Sequence, residues 1–251
     1  MAHDTLALAN AYLRLITIYT SWRMNKQTSQ FIQKGLDVVD NVDDMRKLQI
    51  LLTSGMSFHE QNKTDSALIM INRADKVIAT NDTVLNNANS GIDYLYQYIK
   101  GWVYSSIPDS AAAAVKILEP VYKAYAPQAY QVTGMPVISY SLGQAYYNLG
   151  NKEKAQQLFD HAMDIVIKNK TLDNYDVAKH LMNRYLREKD NAQLLKILPV
   201  WYNMETAVYN NMSSSMLTAY EVEYRVAEHK HMIEKQKWEL KTQHLQNAIL
   251  I

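Results

Sequence analysis

The sequence predicts an all-α protein built as a stack of helical hairpins, and three observations carry that expectation. Apolar residues recur at helical spacing, as in Leu181, Tyr185 and Leu194, Leu195, Leu198, and nowhere require the alternation of a strand. Turn formers fall between these runs, with only seven glycines and five prolines in 251 residues. A pattern of small and bulky apolar residues then returns along the chain around Gly55, Gly101 and Gly143.

Composition narrows the possibilities. The length allows one elongated repeat domain or about two globular ones. With 48% hydrophobic and 20% charged residues, a wholly disordered chain is excluded. Twenty-six basic against 25 acidic residues leave a formal charge of +1, so no global field draws the chain onto nucleic acid or an anionic membrane. The basic residues are also spread among acids rather than clustered with stacking aromatics. Absence of cysteine removes disulfides, thiolate zinc sites and cysteine nucleophiles, and is compatible with reducing and oxidising compartments alike. Met1-Ala2-His3-Asp4 does not read as a signal peptide. No apolar run is long enough to span a bilayer, although the sequence ends on Ala248-Ile249-Leu250-Ile251.

Breaks in the periodicity fall at Asn25-Lys26, Asn41 to Asp44, Asn62-Lys63-Thr64, Asn86 to Gly91, Pro108-Asp109-Ser110, Pro127 to Pro136, Gly150-Asn151, Thr171 to Asn174 and Lys189-Asp190-Asn191. Several place a capping Asp, Asn, Ser or Thr just before an apolar run. The clearest pair follows Pro136 and reads Ser139-Tyr140-Ser141-Leu142-Gly143-Gln144-Ala145-Tyr146, then Gly150-Asn151, then Ala155, Phe159 and Ala162. Gly143 and Ala155 lack bulk where two helices cross, while Leu142, Tyr146 and Phe159 fill the space between layers.

On these residues, spanning 136–169, the chain resembles the tetratricopeptide repeat family, in which Leu-Gly and Tyr belong to the first helix and Ala, Phe and Ala to the second. Ser139 and Ile167 depart from the Trp and Pro usual in that family. A second copy over 48–81 has Gly55, Phe58, Ala67, Ile71 and Ala74 at matching offsets. A third, with Gly101, Tyr104, Ala113 and Ile117, carries Pro120 at its last small position. A fourth, with Leu181, Tyr185, Leu194, Leu198 and Trp201, lacks the small residues. Tyr12 to Trp22 and Phe31 to Val39 read as a further hairpin without a legible motif. The resemblance implies an α-α superhelix of about five hairpins over residues 1–210.

Residues 211–251 read as one long charge-rich helix, with i,i+4 pairs Glu221 and Arg225, Lys230 and Glu234, Lys235 and Glu239. Two apolar stripes run along it. Val226, Ile233 and Leu240 step by seven, as in a coiled-coil seam that could pair two copies of the chain. Tyr220, Tyr224, Ala227, Trp238 and Leu245 form the other, which is expected to cap the repeat stack. A repeat stack followed by such a helix resembles the extracytoplasmic sensor half of bacterial membrane-anchored regulators. Their helix leads into a membrane span and a histidine kinase or helix-turn-helix output domain, which here would lie beyond Ile251.

Signatures of chemistry are missing. His59 has no second histidine four residues on and reads as solvated, and His229 and His231 point to different sides of a helix. The seven glycines form no phosphate cradle, and Gly-x-Ser-x-Gly is absent. No catalytic residue, metal or cofactor is expected. In the tetratricopeptide family the first helix of each pair lines a concave groove. Carried over residue by residue, the groove positions are Leu52, Met56 and His59, then Tyr98 and Trp102, then Tyr140, Gln144 and Tyr147, and finally Lys179, Asn183 and Arg187. A Lys and Asn at that spacing resemble part of a peptide-carboxylate clamp, whose other cations these repeats do not supply. The expectation is a non-catalytic module binding a protein or peptide, in an extracytoplasmic sensor or, alternatively, a soluble cytoplasmic adaptor.

Overall fold

The computed structural model describes residues 2–85 and 91–249, all in helices and turns. Ten α-helices make five hairpins: α1 (Ala2–Ser21) with α2 (Asn25–Val38), α3 (Asp44–Glu60) with α4 (Thr64–Thr80), α5 (Ile92–Ser105) with α6 (Ala111–Tyr125), α7 (Met135–Asn148) with α8 (Lys152–Asn169), and α9 (Tyr175–Glu188) with α10 (Asn191–Ile249). The fold is therefore the all-α hairpin stack expected. Of the sequence-based features, residues 86–90 of the fourth break, the side chain of Leu245 and the terminal Leu250-Ile251 lie outside what is described.

Four of the five hairpins share one turn. In each, a residue one or two positions past the first helix has positive φ: Arg23 (54°), Asn62 (59°), Gly150 (83°) and Lys189 (56°). The same two backbone bonds recur, for instance Asn62 N–H to His59 O at 2.9 Å and Lys63 N–H to Phe58 O at 2.9 Å. At the last turn Lys189 N–H reaches Leu186 O and Asp190 N–H reaches Tyr185 O. These bonds satisfy carbonyls that the helix end leaves unpaired. Only Gly150 takes the left-handed conformation without a Cβ penalty; the other three are held there by the packing of the helices they join. Side-chain caps start the next helices, with Asn151 Oδ1 accepting from Lys154 N–H and Asp190 Oδ1 from Gln193 N–H, both at 3.1 Å.

Small residues set the helix spacing within hairpins. A Cβ on Gly143 would lie 2.9 Å from the Phe159 ring and 3.2 Å from the Ala155 carbonyl. Phe159 is fully buried and backed by the Arg184 guanidinium 3.9 Å from its centroid, so it has no room to retreat. At Gly55 the nearest atom, Met70 Cβ, is an ordinary 3.4 Å away. Helices α1, α3, α5, α7 and α9 pack successively as an inner row, with their partners outside.

Helix α10 begins at Asn191, so the second helix of the last hairpin and the charge-rich helix after Asn211 are one continuous element. Its first part packs on α9 and α8, and its later part on α1. Ala219, Val222 and Val226 are buried with Leu8, Tyr12, Leu15 and Tyr19, and Ile233 packs alongside. Tyr19 OH donates to Glu223. The stripe expected to cap the stack does not do so: Tyr220, Tyr224 and Trp238 are 59%, 71% and 68% exposed. The step-of-seven stripe faces α1 instead through Val226 and Ile233, because narrow side chains let two helices approach closely. A homodimer through α10 would therefore need the aromatic face rather than that seam.

The glycines give a paired test. Gly143→Ala should lose about 1 kcal/mol in urea unfolding, because an overpacking cost of ~1–3 kcal/mol exceeds the helix-propensity gain of ~1 kcal/mol. Gly55→Ala, with room for its methyl, should be neutral or slightly stabilising in the same measurement.

Candidate functional site

The inner row curves until its ends meet. Arg23, held in the turn after α1, is ion-paired with Asp176 in the first turn of α9, and its guanidinium lies 4.3 Å from the Tyr175 ring centroid. Behind this contact lies a channel with three adjoining cavities that share Arg23 and Glu60.

The largest, about 500 Å³, is walled by Trp22, Tyr94, Tyr98 and Tyr175, with Met56, Val137 and Leu172 between them and Val208 of α10 at its edge. Tyr94, Tyr98 and Trp102 occupy successive turns of α5 and stack at 6.3 and 6.0 Å. Tyr94 OH donates to Thr133 O at 2.7 Å and ties α5 to the loop before α7. Three carboxylates line this cavity, Glu60, Asp173 and Asp176, against the single cation Arg23.

A second cavity of about 200 Å³ has the opposite character. Besides Arg23, Glu60 and Asp176, it is lined by Lys179, Arg187, Asn183, His180 and Tyr140. The third, about 190 Å³, lies between α1, α3 and Lys179.

Glu60, His59, His180 and the tyrosines of the channel are withdrawn from water, and these groups respond by favouring their neutral forms. Burial, reinforced by Asp176, pushes the Glu60 carboxyl well above the usual carboxylate range, with Arg23 opposing. His59 is pushed down to about 4 by burial and by His180. Burial likewise lowers His180, against the pull of Asp176. The Tyr94 and Tyr175 phenols are driven up to about 12, chiefly by burial.

Of the groove positions read from the sequence, Met56 and Tyr98 line the large cavity, and Tyr140, Lys179, Asn183 and Arg187 the second. His59 is not solvated: its ring stands edge-on to Trp102 at 4.8 Å, immediately behind the aromatic wall. Trp102 is itself buried, and Leu52 is wholly buried in the core that α3 shares with α1, α4 and α5. Gln144, bonded to Asn148 at 3.0 Å, and Tyr147, beneath Arg184 at 4.6 Å, line none of these cavities.

Sequence reasoning missed Arg23, Glu60, Tyr175, Asp176 and His180. The pair His59-Glu60 was visible, but nothing local indicates that α9 and the α1 turn close over it. Among the described residues no three His, Asp or Glu side chains converge as a metal-ligating group, and no helix is long and apolar enough to cross a membrane. Comparison with protein-family models gives no match, and comparison with curated proteins gives none.

The raised Glu60 carboxyl predicts a pH dependence. A folded pKa above the unfolded value means that Glu60's contribution to stability is complete below the ordinary carboxylate range and is lost as pH rises toward the raised value. Glu60→Gln has no such titration, so its stability relative to wild type should increase as pH rises from about 6.5 to 9 in denaturant titrations. His59, depressed to about 4, is neutral in the folded state throughout that window and does not obscure the comparison. A difference independent of pH would contradict the assignment.

Proposed function

We propose that this protein is a non-catalytic recognition module of the tetratricopeptide kind that holds a peptide segment of a partner in its channel, and that it serves as the extracytoplasmic sensor part of a membrane-anchored bacterial signalling protein. The observation that carries this reading is the path of α10, which packs on α9, contributes Val208 to the large cavity and then packs on α1. A ligand that alters the approach of α1 to α9 acts on a helix anchored to both. Stacked tyrosines supply broad contact area at low ordering cost, as in other peptide-binding surfaces. Lys179, Asn183 and Arg187 suit a carboxylate in the second cavity. A cytoplasmic adaptor would use the same channel without transmitting anything along α10.

Screening a peptide library against the protein should yield binders that lose about tenfold or more in affinity with Tyr98→Ala. Hydrogen exchange over residues 219–233 should change when such a peptide binds. Binding without any change there would favour the adaptor, and binding indifferent to Tyr98 would remove the channel from the proposal.

A further inference from the structure

The large cavity has a charge problem that its own residues leave unsolved. Glu60 is recessed at the end of α3, where the charged and titratable groups facing it are Arg23 from the turn after α1, Asp173 from the turn before α9, Tyr175, Asp176, Lys179, His180 and Arg187 from α9, and its neighbour His59. Helix α5 presents only the phenols of Tyr94 and Tyr98, and α7 that of Tyr140. Arg23 is already committed to Asp176 and stacked on Tyr175. Lys179 and Arg187 line the smaller cavities and not the large one. On the side of the large cavity, therefore, Glu60 and Asp173 have no cation of their own.

The wall opposite them is aromatic. Faces of Trp and Tyr attract cations through the ring quadrupole, and that attraction grows when water is excluded. A carboxylate beside stacked aromatics, in a space of about 500 Å³, matches an organic cation in both charge and size.

We propose that the large cavity binds an alkylammonium or guanidinium group carried on an apolar body, with Glu60 as its counter-ion, Asp173 at the rim and Tyr94, Tyr98, Tyr175 and Trp22 around it. The inference rests on the recognition reading above and specifies its ligand: a basic residue of a peptide, or a free amine. On binding, the proton held by Glu60 leaves to solvent and the carboxylate pairs with the incoming cation, so affinity rises with pH until Glu60 is ionised in the free protein and then levels off, falling again only where an alkylammonium deprotonates.

The test uses the full chain and three probes of similar shape: phenethylamine, the neutral 2-phenylethanol and the anionic 3-phenylpropionate. A capped tripeptide with lysine between two phenylalanines then distinguishes a peptide source from a free amine. In calorimetry and NMR titrations, phenethylamine or the tripeptide should bind at least about tenfold more tightly than the neutral and anionic probes. Titrations in buffers of different ionisation enthalpy should show proton release. Glu60→Gln should abolish the preference and the proton release. Asp173→Asn, at an exposed rim position, should weaken the cation several-fold and serves if the Glu60 variant folds poorly.

Equal binding of the neutral probe, a preference that survives Glu60→Gln, or no binding of either cation would overturn the proposal. None of those results bears on whether library peptides bind through Tyr98, so the broader recognition reading would fail or stand separately.

Discussion

A stack of hairpins in which each contacts only its neighbours has no reason to bring its ends together. Here the ends do meet, and the geometry of the channel depends on that closure. Its apolar part is the packing of Ala219, Val222 and Val226 of α10 on Leu8, Tyr12 and Tyr19 of α1. Its polar part is Arg23 against Asp176 and Tyr175. The two parts do different work. Burying apolar surface drives association at roughly 25 cal/mol per Å², whereas a desolvated ion pair gains little net energy but is costly to break. The α10 contact supplies the drive, and the ion pair fixes which turn of α9 faces the end of α1.

Closure also accounts for the channel's electrostatics as one effect. Burial is the largest cause of the upward shift of Glu60 and of the downward shifts of His59 and His180. An acid moved up and two bases moved down are the same response, each group shedding charge in a space where water cannot solvate it. A recess in which Glu60 and both histidines are kept neutral in this way is poised for a ligand that brings a charge of its own. In an open groove those residues would be hydrated and would offer a ligand little beyond screened surface pairs.

The hairpins were legible wherever packing leaves a mark on residue identity. Gly143 against Phe159, and Ala155 and Ala162 beneath it, follow from the requirement for close helix crossing. The shared turn was less visible, since Arg23 and Lys189 adopt a conformation that glycine would announce, yet carry the same hydrogen bonds as Gly150. In the site, Lys179, Asn183 and Arg187 could be placed on one face from their spacing of four. Their companions Arg23 and Glu60 could not, because what joins them is the accumulated rotation between hairpins, which no local pattern encodes. The same holds for α10. Both of its stripes are amphipathic, and the choice between them depends on where α1 lies.

That choice bears on how a bound ligand could be reported. A ligand shifts a conformational equilibrium only by the difference in its affinity for the two states. The smaller cavities are bounded by α1, α2, α3, α7 and α9 and, among the described residues, receive no side chain from α10. The large cavity is different: Trp22 comes from the end of α1, Tyr175 from α9 and Val208 from α10. A group seated there touches both ends of the stack and the helix that spans them, so any change in their separation alters its contacts directly. Differential affinity, and hence coupling to α10, is therefore expected from the large cavity rather than from the cationic one beside it.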